Sequence, residues 1–194
     1  MTCGLIDVGR SAWGERPARF ARQIFQAPRV ARSQLPLALA SWADTRLVPK
    51  VLVATQTPVI EAAVDALGEW LPSVPVLTVV PRAPDDVWRI GAVLSAPAAS
   101  AWAASTYLGA ALSPKAIKLS ASQLLTLPVP RRSWDDAAAA LEAGDVDTCA
   151  RLMDVAYGTD LYHWWSSRRS RSGAGRGGRG SSPPRSRPSR GARR

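Results

Sequence analysis

The sequence predicts a mixed α/β fold, a small mixed sheet of short strands packed with several helices. Three observations carry this expectation. Residues 51–55, 59–64 and 74–80 are short runs rich in Val, Ile and Thr, bounded by Pro and Gly, and such runs read as strands. From Asp85 onward apolar residues recur at helical spacing. From Arg168 to Arg194 the composition changes to Arg, Gly, Ser and Pro, with ten arginines and no acid. Three regions follow: an irregular linker or arm over 1–45, an α/β domain over 46–166, and a disordered tail over 167–194.

The formal charge is +10, from 25 basic and 15 acidic residues. Removing the ten arginines of 168–194 leaves 15 basic residues against the 15 acids, so the excess charge belongs to the tail. Cys3 and Cys149 show no pairing pattern, which points to a reducing compartment and no disulfide framework. No apolar run approaches the roughly 20 residues of a membrane span, and the N-terminus lacks the charged-then-apolar order of a signal peptide. The expected location is cytoplasmic, with no membrane partner.

Taken in order, residues 1–45 hold Arg10, Arg16, Arg19, Arg22, Arg29 and Arg32 against Asp7 and Glu15 before Asp44. The segment reads as irregular and solvated, with Trp13, Phe20 and Phe25 docked on the body, or else as a basic arm against phosphate. The strand over 51–55 is followed by that over 59–64, and residues 65–68 (Asp-Ala-Leu-Gly) read as a hairpin connection. Glu61, Asp65 and Glu69 are expected on a solvated face. Prolines at both ends of the third run suit an edge strand.

Asp85 and Asp86 open a helix whose Val87, Ile90, Gly91 and Leu94 share one face, and Pro97 ends or kinks it. A second helix runs from Ala98 to Leu108 and stops at Gly109. Ile117 and Leu119 alternate with Lys118 and Ser120, one pair inward and the other outward. Residues 120–123 (Ser-Ala-Ser-Gln) form a capping box that starts a short turn ended by Pro128. Two further helices are bounded by Gly144 and Gly158, the second capped by Asp145. Cys149 lies on the apolar face of the second and reads as an inert core thiol. Leu161, Tyr162, Trp164 and Trp165 dock as a last turn.

The sequence holds no catalytic constellation. His163 is the only histidine and has no partner spacing for a zinc site or a nucleophilic triad. The Gly173-Ala-Gly175-Arg-Gly-Gly178 run matches a dinucleotide fingerprint by letter, but no strand precedes it and no helix is expected after it. The tail reads as a non-specific nucleic-acid binder, as neutral baggage, or as a frame-shifted reading of GC-rich DNA.

A resemblance supplies what the chemistry does not. Pro49-Lys50 opens a strand, and Leu71-Pro-Ser-Val-Pro75 enters another. A helix ends in Ala92-Val-Leu-Ser-Ala-Pro97, then come Ile117-Lys-Leu-Ser120, a short turn and Leu127-Pro-Val-Pro130. This order resembles the C-terminal target-recognition region of bacterial amino-adenine DNA methyltransferases, which is similar to the specificity subunits of type I restriction systems. The Leu-Pro-x-Pro exit is its most recognisable mark, and residues 4–17 resemble the linker that enters the region. In that family a separate domain binds S-adenosylmethionine through a Gly-rich loop and an Asn/Asp-Pro-Pro-Phe/Tyr motif. This chain has neither, so no cofactor is expected in it.

The resemblance implies a DNA-binding recognition part whose partners are DNA and a catalytic methyltransferase domain or subunit. Polar side chains would enter a groove and basic ones would hold phosphates. The implied candidates are Arg46, Lys50, Gln56, Lys115, Lys118, Ser120 and Gln123. Exposed apolar surface is expected where the catalytic domain packs. The alternatives are an RNA-binding protein acting through its Arg/Gly tail, and a protein-interaction domain.

Overall fold

The computed structural model describes residues 1–20, 22–107 and 116–176, with side chains through Ser170. Lys115, Gly109 and residues 177–194 therefore lie outside the described residues, as does most of the stretch expected to be a disordered tail. The mixed α/β class holds. Its centre is a three-stranded antiparallel sheet in the order β6-β5-β7, built from β5 (Lys50–Val53), β6 (Ala62–Asp65) and β7 (Leu77–Val79). β5 and β6 are buried along their whole length, which is why their sequences read as continuous apolar runs rather than alternating ones. The proline-flanked β7 is an edge strand, as its sequence predicts.

The hairpin, however, closes elsewhere. β5 and β6 are joined through residues 54–61, and β7 pairs with the opposite edge of β5. The turn at 65–68 instead brings Gly68 against the backbone of Val48. A Cβ on Gly68 would lie 2.6 Å from the Val48 carbonyl carbon, and its φ is +69°. Glycine is needed there for close approach.

Helices cover one side of the sheet. α2 (Val87–Ser95) and α3 (Pro97–Tyr107) meet at Ala96, whose extended backbone breaks the run before Pro97. α2 packs on β6 through Gly91, where a Cβ would lie 2.5 Å from Val64 Cγ2. α5 (Asp135–Glu142) and α6 (Val146–Tyr157) pack on α2 and complete the main core with Val87, Leu94, Leu141, Cys149 and Met153. Asp145 caps α6, its carboxylate accepting from Thr148 N at 3.0 Å, and Gly158 ends it in the left-handed region.

Two boundaries move. Residues 1–45 hold more regular structure than the irregular arm expected, although 22–39 are largely exposed. β1 (Ile6–Asp7) and β2 (Arg10–Ser11) form one hairpin, β3 (Ala18–Phe20) and β4 (Gln23–Phe25) another, and α1 (Leu37–Asp44) follows. Leu5, Ile6, Val8 and Ala12 are fully buried, so the first hairpin belongs to the body. The helix α7 (Tyr162–Arg176) starts at the Trp cluster and continues through Arg168 and Arg169 into the arginine-rich segment. The periodic apolar signal ends before the helix does. Its start is fixed by Asp154, whose carboxylate accepts from Leu161 N at 2.8 Å, Tyr162 N at 2.7 Å and the Thr159 hydroxyl at 2.7 Å, so one side chain of α6 starts α7. Among the described residues, no helix is long and apolar enough to cross a membrane.

Candidate nucleic-acid interface

The two ends of β5 divide the candidate residues between them. At the Val53 end the chain enters the 54–61 loop. Ala54 N donates to Glu61 O at 2.9 Å and closes its mouth. Gln56 stands exposed with φ +64°, a left-handed conformation uncommon outside glycine. The next residue is what holds it. Thr57 pairs with Ile117 in an antiparallel bridge, donating at 3.2 Å and accepting at 2.8 Å. The Thr57 hydroxyl donates to Val59 O at 2.5 Å, and Ser100 Oγ on α3 accepts from Ile60 N at 3.0 Å.

Gln56 and Lys118 each adjoin one residue of this bridge. Ile117 and Leu119 are buried and Lys118 is exposed, the alternation expected from sequence. Ser120 and Gln123 follow directly and form the capping box of α4 (Ala121–Leu124). Ser120 Oγ accepts from Gln123 N at 3.3 Å, and Gln123 Oε1 accepts from Ser120 N at 2.8 Å. Ser120 Oγ also lies 3.0 Å from Ser122 Oγ. The cap thus occupies the acceptors of both side chains, and what Gln123 offers outward is its amide NH2.

Lys50, at the other end of β5, needs correction. It is 0 % exposed, its ammonium contacts the buried Asp65 carboxylate, and it donates to Val48 O at 3.1 Å. A lysine so enclosed has no path to a phosphate. Asp65 is fixed in turn, Oδ1 accepting from Glu69 N and Oδ2 from Trp70 N, both at 2.9 Å. Glu61 is buried as well, so of the three acids expected on a solvated face only Glu69 is there. Arg46 is exposed at this same end, its guanidinium 4.9 Å above the Trp42 ring and donating to Thr45 Oγ1 at 2.7 Å.

The Arg46 end also holds a concavity that sequence reasoning missed as a unit. Its volume is about 740 Å³ and it is lined by Trp13, Phe20, Phe25, Trp42 and Trp70, with Arg29 and Arg32 at the rim. Arg29 lies 4.9 Å over the Trp13 ring, and Trp13 Nε1 donates to Pro28 O at 3.2 Å. Arg32 is held by Asp44, Nε–Oδ1 at 2.8 Å and Nη2–Oδ2 at 2.5 Å. That hydrogen bond lowers the Asp44 carboxyl and raises Arg32. The signal was present in residues 13–47, which hold six arginines, two acids and no lysine beside two tryptophans and two phenylalanines. Only the fold shows that these aromatics converge.

The nucleophile and acid–base inventory stays small. Cys149 is buried, and burial, with help from the Asp145 charge, pushes its thiol up to about 12. It is a core residue. His163 is exposed and stacks edge-on against Tyr162. Among the described residues no group of three or more His, Cys, Asp or Glu side chains could hold a metal ion. Comparison with protein families, with curated proteins and with solved structures finds no match for this chain.

Proposed function

We propose that this chain is the DNA target-recognition part of an S-adenosylmethionine-dependent DNA adenine methyltransferase of the restriction–modification type, working with a catalytic domain or subunit that binds the cofactor. The observation that carries the reading is the clamped end of the sheet. Left-handed, exposed Gln56 and exposed Lys118 adjoin the two residues of the Thr57–Ile117 bridge, and the α4 cap follows Lys118 directly. Sequence readout needs polar side chains on rigid supports, and Gln and Lys are suited to base edges and to phosphates respectively. The roughly neutral body favours a module that reads DNA while a partner supplies much of the affinity.

The test is selection of duplexes from a random library by the full chain at low salt, followed by sequencing. A short enriched motif is expected. Gln56→Ala should relax one position of that motif, at a cost of about 1–3 kcal/mol of discrimination, while Lys118→Ala should weaken all sequences alike. A bound pool with no motif overturns the reading. Binding without a motif that disappears when residues 177–194 are removed would favour the second reading, an RNA-type or non-specific binder acting through its arginines. That reading rests on the location of the excess charge.

A further inference from the structure

The aromatic concavity at the Lys50 end of β5 carries exposed apolar surface that nothing in the chain covers among the described residues. Phe25, Val30, Trp42 and Leu47 on its wall are 39 %, 55 %, 42 % and 39 % exposed. Clustered large apolar side chains left in water mark an interaction site. Beside them Arg29, on the lining, and Arg46, over the Trp42 ring, form no ion pair among the described residues, whereas Arg32 is paired with Asp44 and Glu69 is the one acid on the lining.

Three occupants compete, and charge and ring geometry separate them. A second copy of this chain would set Arg29 and Arg46 of one copy against those of the other, and the chain's own arginine-rich segment beyond Arg176 would meet the same two cations. A nucleic-acid strand would need open ring faces for its bases. Arg29 and Arg46 already lie over Trp13 and Trp42, and exposed Val30 and Leu47 cannot stack. A protein segment with bulky apolar side chains flanked by carboxylates satisfies both features. Its apolar groups fill the concavity, and its acids meet guanidinium N–H groups pre-oriented by stacking. We infer that this concavity docks such a segment, an acidic amphipathic stretch of a partner protein. The inference does not rest on the DNA-recognition reading, and its test contains no target DNA.

Two synthetic amphipathic helices of about 18 residues, roughly five turns, serve as probes: one patterned with Leu and Glu, the other with Leu and Lys. Binding to the full chain is read by fluorescence anisotropy of the labelled peptide. The Leu/Glu peptide is expected to bind at least about tenfold tighter than the Leu/Lys one. The R29E/R46E variant should reverse that preference, and V30S/L47S should weaken both. All four positions are exposed, so folding should survive, and circular dichroism checks that it does. Equal binding of the two peptides, or a preference unmoved by R29E/R46E, overturns the inference. So does displacement of the Leu/Glu peptide by oligo-dT, which would make the surface a nucleic-acid groove. A dimer that the peptide dissociates would assign the concavity to a second copy and overturn it equally.

Discussion

Lys50 and Asp65 face each other across β5 and β6, both shut off from water. Removing one partner of a buried pair leaves the other charge uncompensated, so Lys50→Met should destabilise the fold by about 3–5 kcal/mol, read from urea unfolding. Asp65→Asn should cost a comparable amount. The double variant should not recover stability, because Glu69 N and Trp70 N lose the carboxylate as well. Recovery to near wild type in the double variant would refute this account. The pair also explains why one candidate was misread. Lys50 looks like any basic residue at the start of a strand, and its burial depends on a partner fifteen positions away brought opposite by strand register. Lys118 was legible because its neighbours Ile117 and Leu119 alternate with it locally.

Local rules likewise made the capping box at Ser120, the Asp145 cap and the Gly158 stop readable from short windows of sequence. Elements whose boundaries are set by distant groups were not. Residues 65–68 do turn, as they read, but the turn carries Gly68 past Val48 rather than into a strand paired with β6. α7 runs past the apolar cluster into a segment with no apolar periodicity, and its start is fixed by Asp154 in the preceding helix. Asp154→Ala removes three accepted hydrogen bonds and should cost about 2–3 kcal/mol, with Trp164 and Trp165 fluorescence reporting the undocking of α7.

A second tether gives α7 a pH dependence. Burial pushes the Asp147 carboxyl up, but hydrogen bonds from the Tyr162 hydroxyl at 2.8 Å and from Arg169 at 2.8 Å outweigh it and hold the group below its ordinary 3.8. A carboxylate lowered in the folded state adds stability above its unfolded pKa, and that contribution is lost as pH falls through the folded value. Acid titration should therefore loosen α7 below pH 3.8, and Asp147→Asn should show no such step. An identical acid transition in the variant would exclude Asp147 as its source.

Across the whole molecule, β5 separates two surfaces of different chemistry. The clamped polar end carries Gln56 and Lys118, and the other end carries the aromatic concavity with Arg29 and Arg46. Four residues of strand place them roughly 10–13 Å apart along its axis, with the buried core between. Variants at one end should leave the other's ligand affinity unchanged, since substitutions more than about 7–10 Å apart with no shared partners act independently. The fold class and most helices were visible in the sequence. The concavity was not, because its walls come from Met1 and from residues 13–47 and 69–73, which are far apart in the chain.

The enclosure of Lys50 has a practical side. The chain has three lysines, and with this one withdrawn the lysine amine open to reagents among the described residues is that of Lys118. Succinimidyl dyes, amine cross-linkers and carboxyl-coated sensor chips would therefore attach beside Gln56, apart from any reaction at the amino terminus. A surface immobilised in that way would mask the end proposed to read DNA, and a tag at the carboxyl terminus is the better handle for binding measurements.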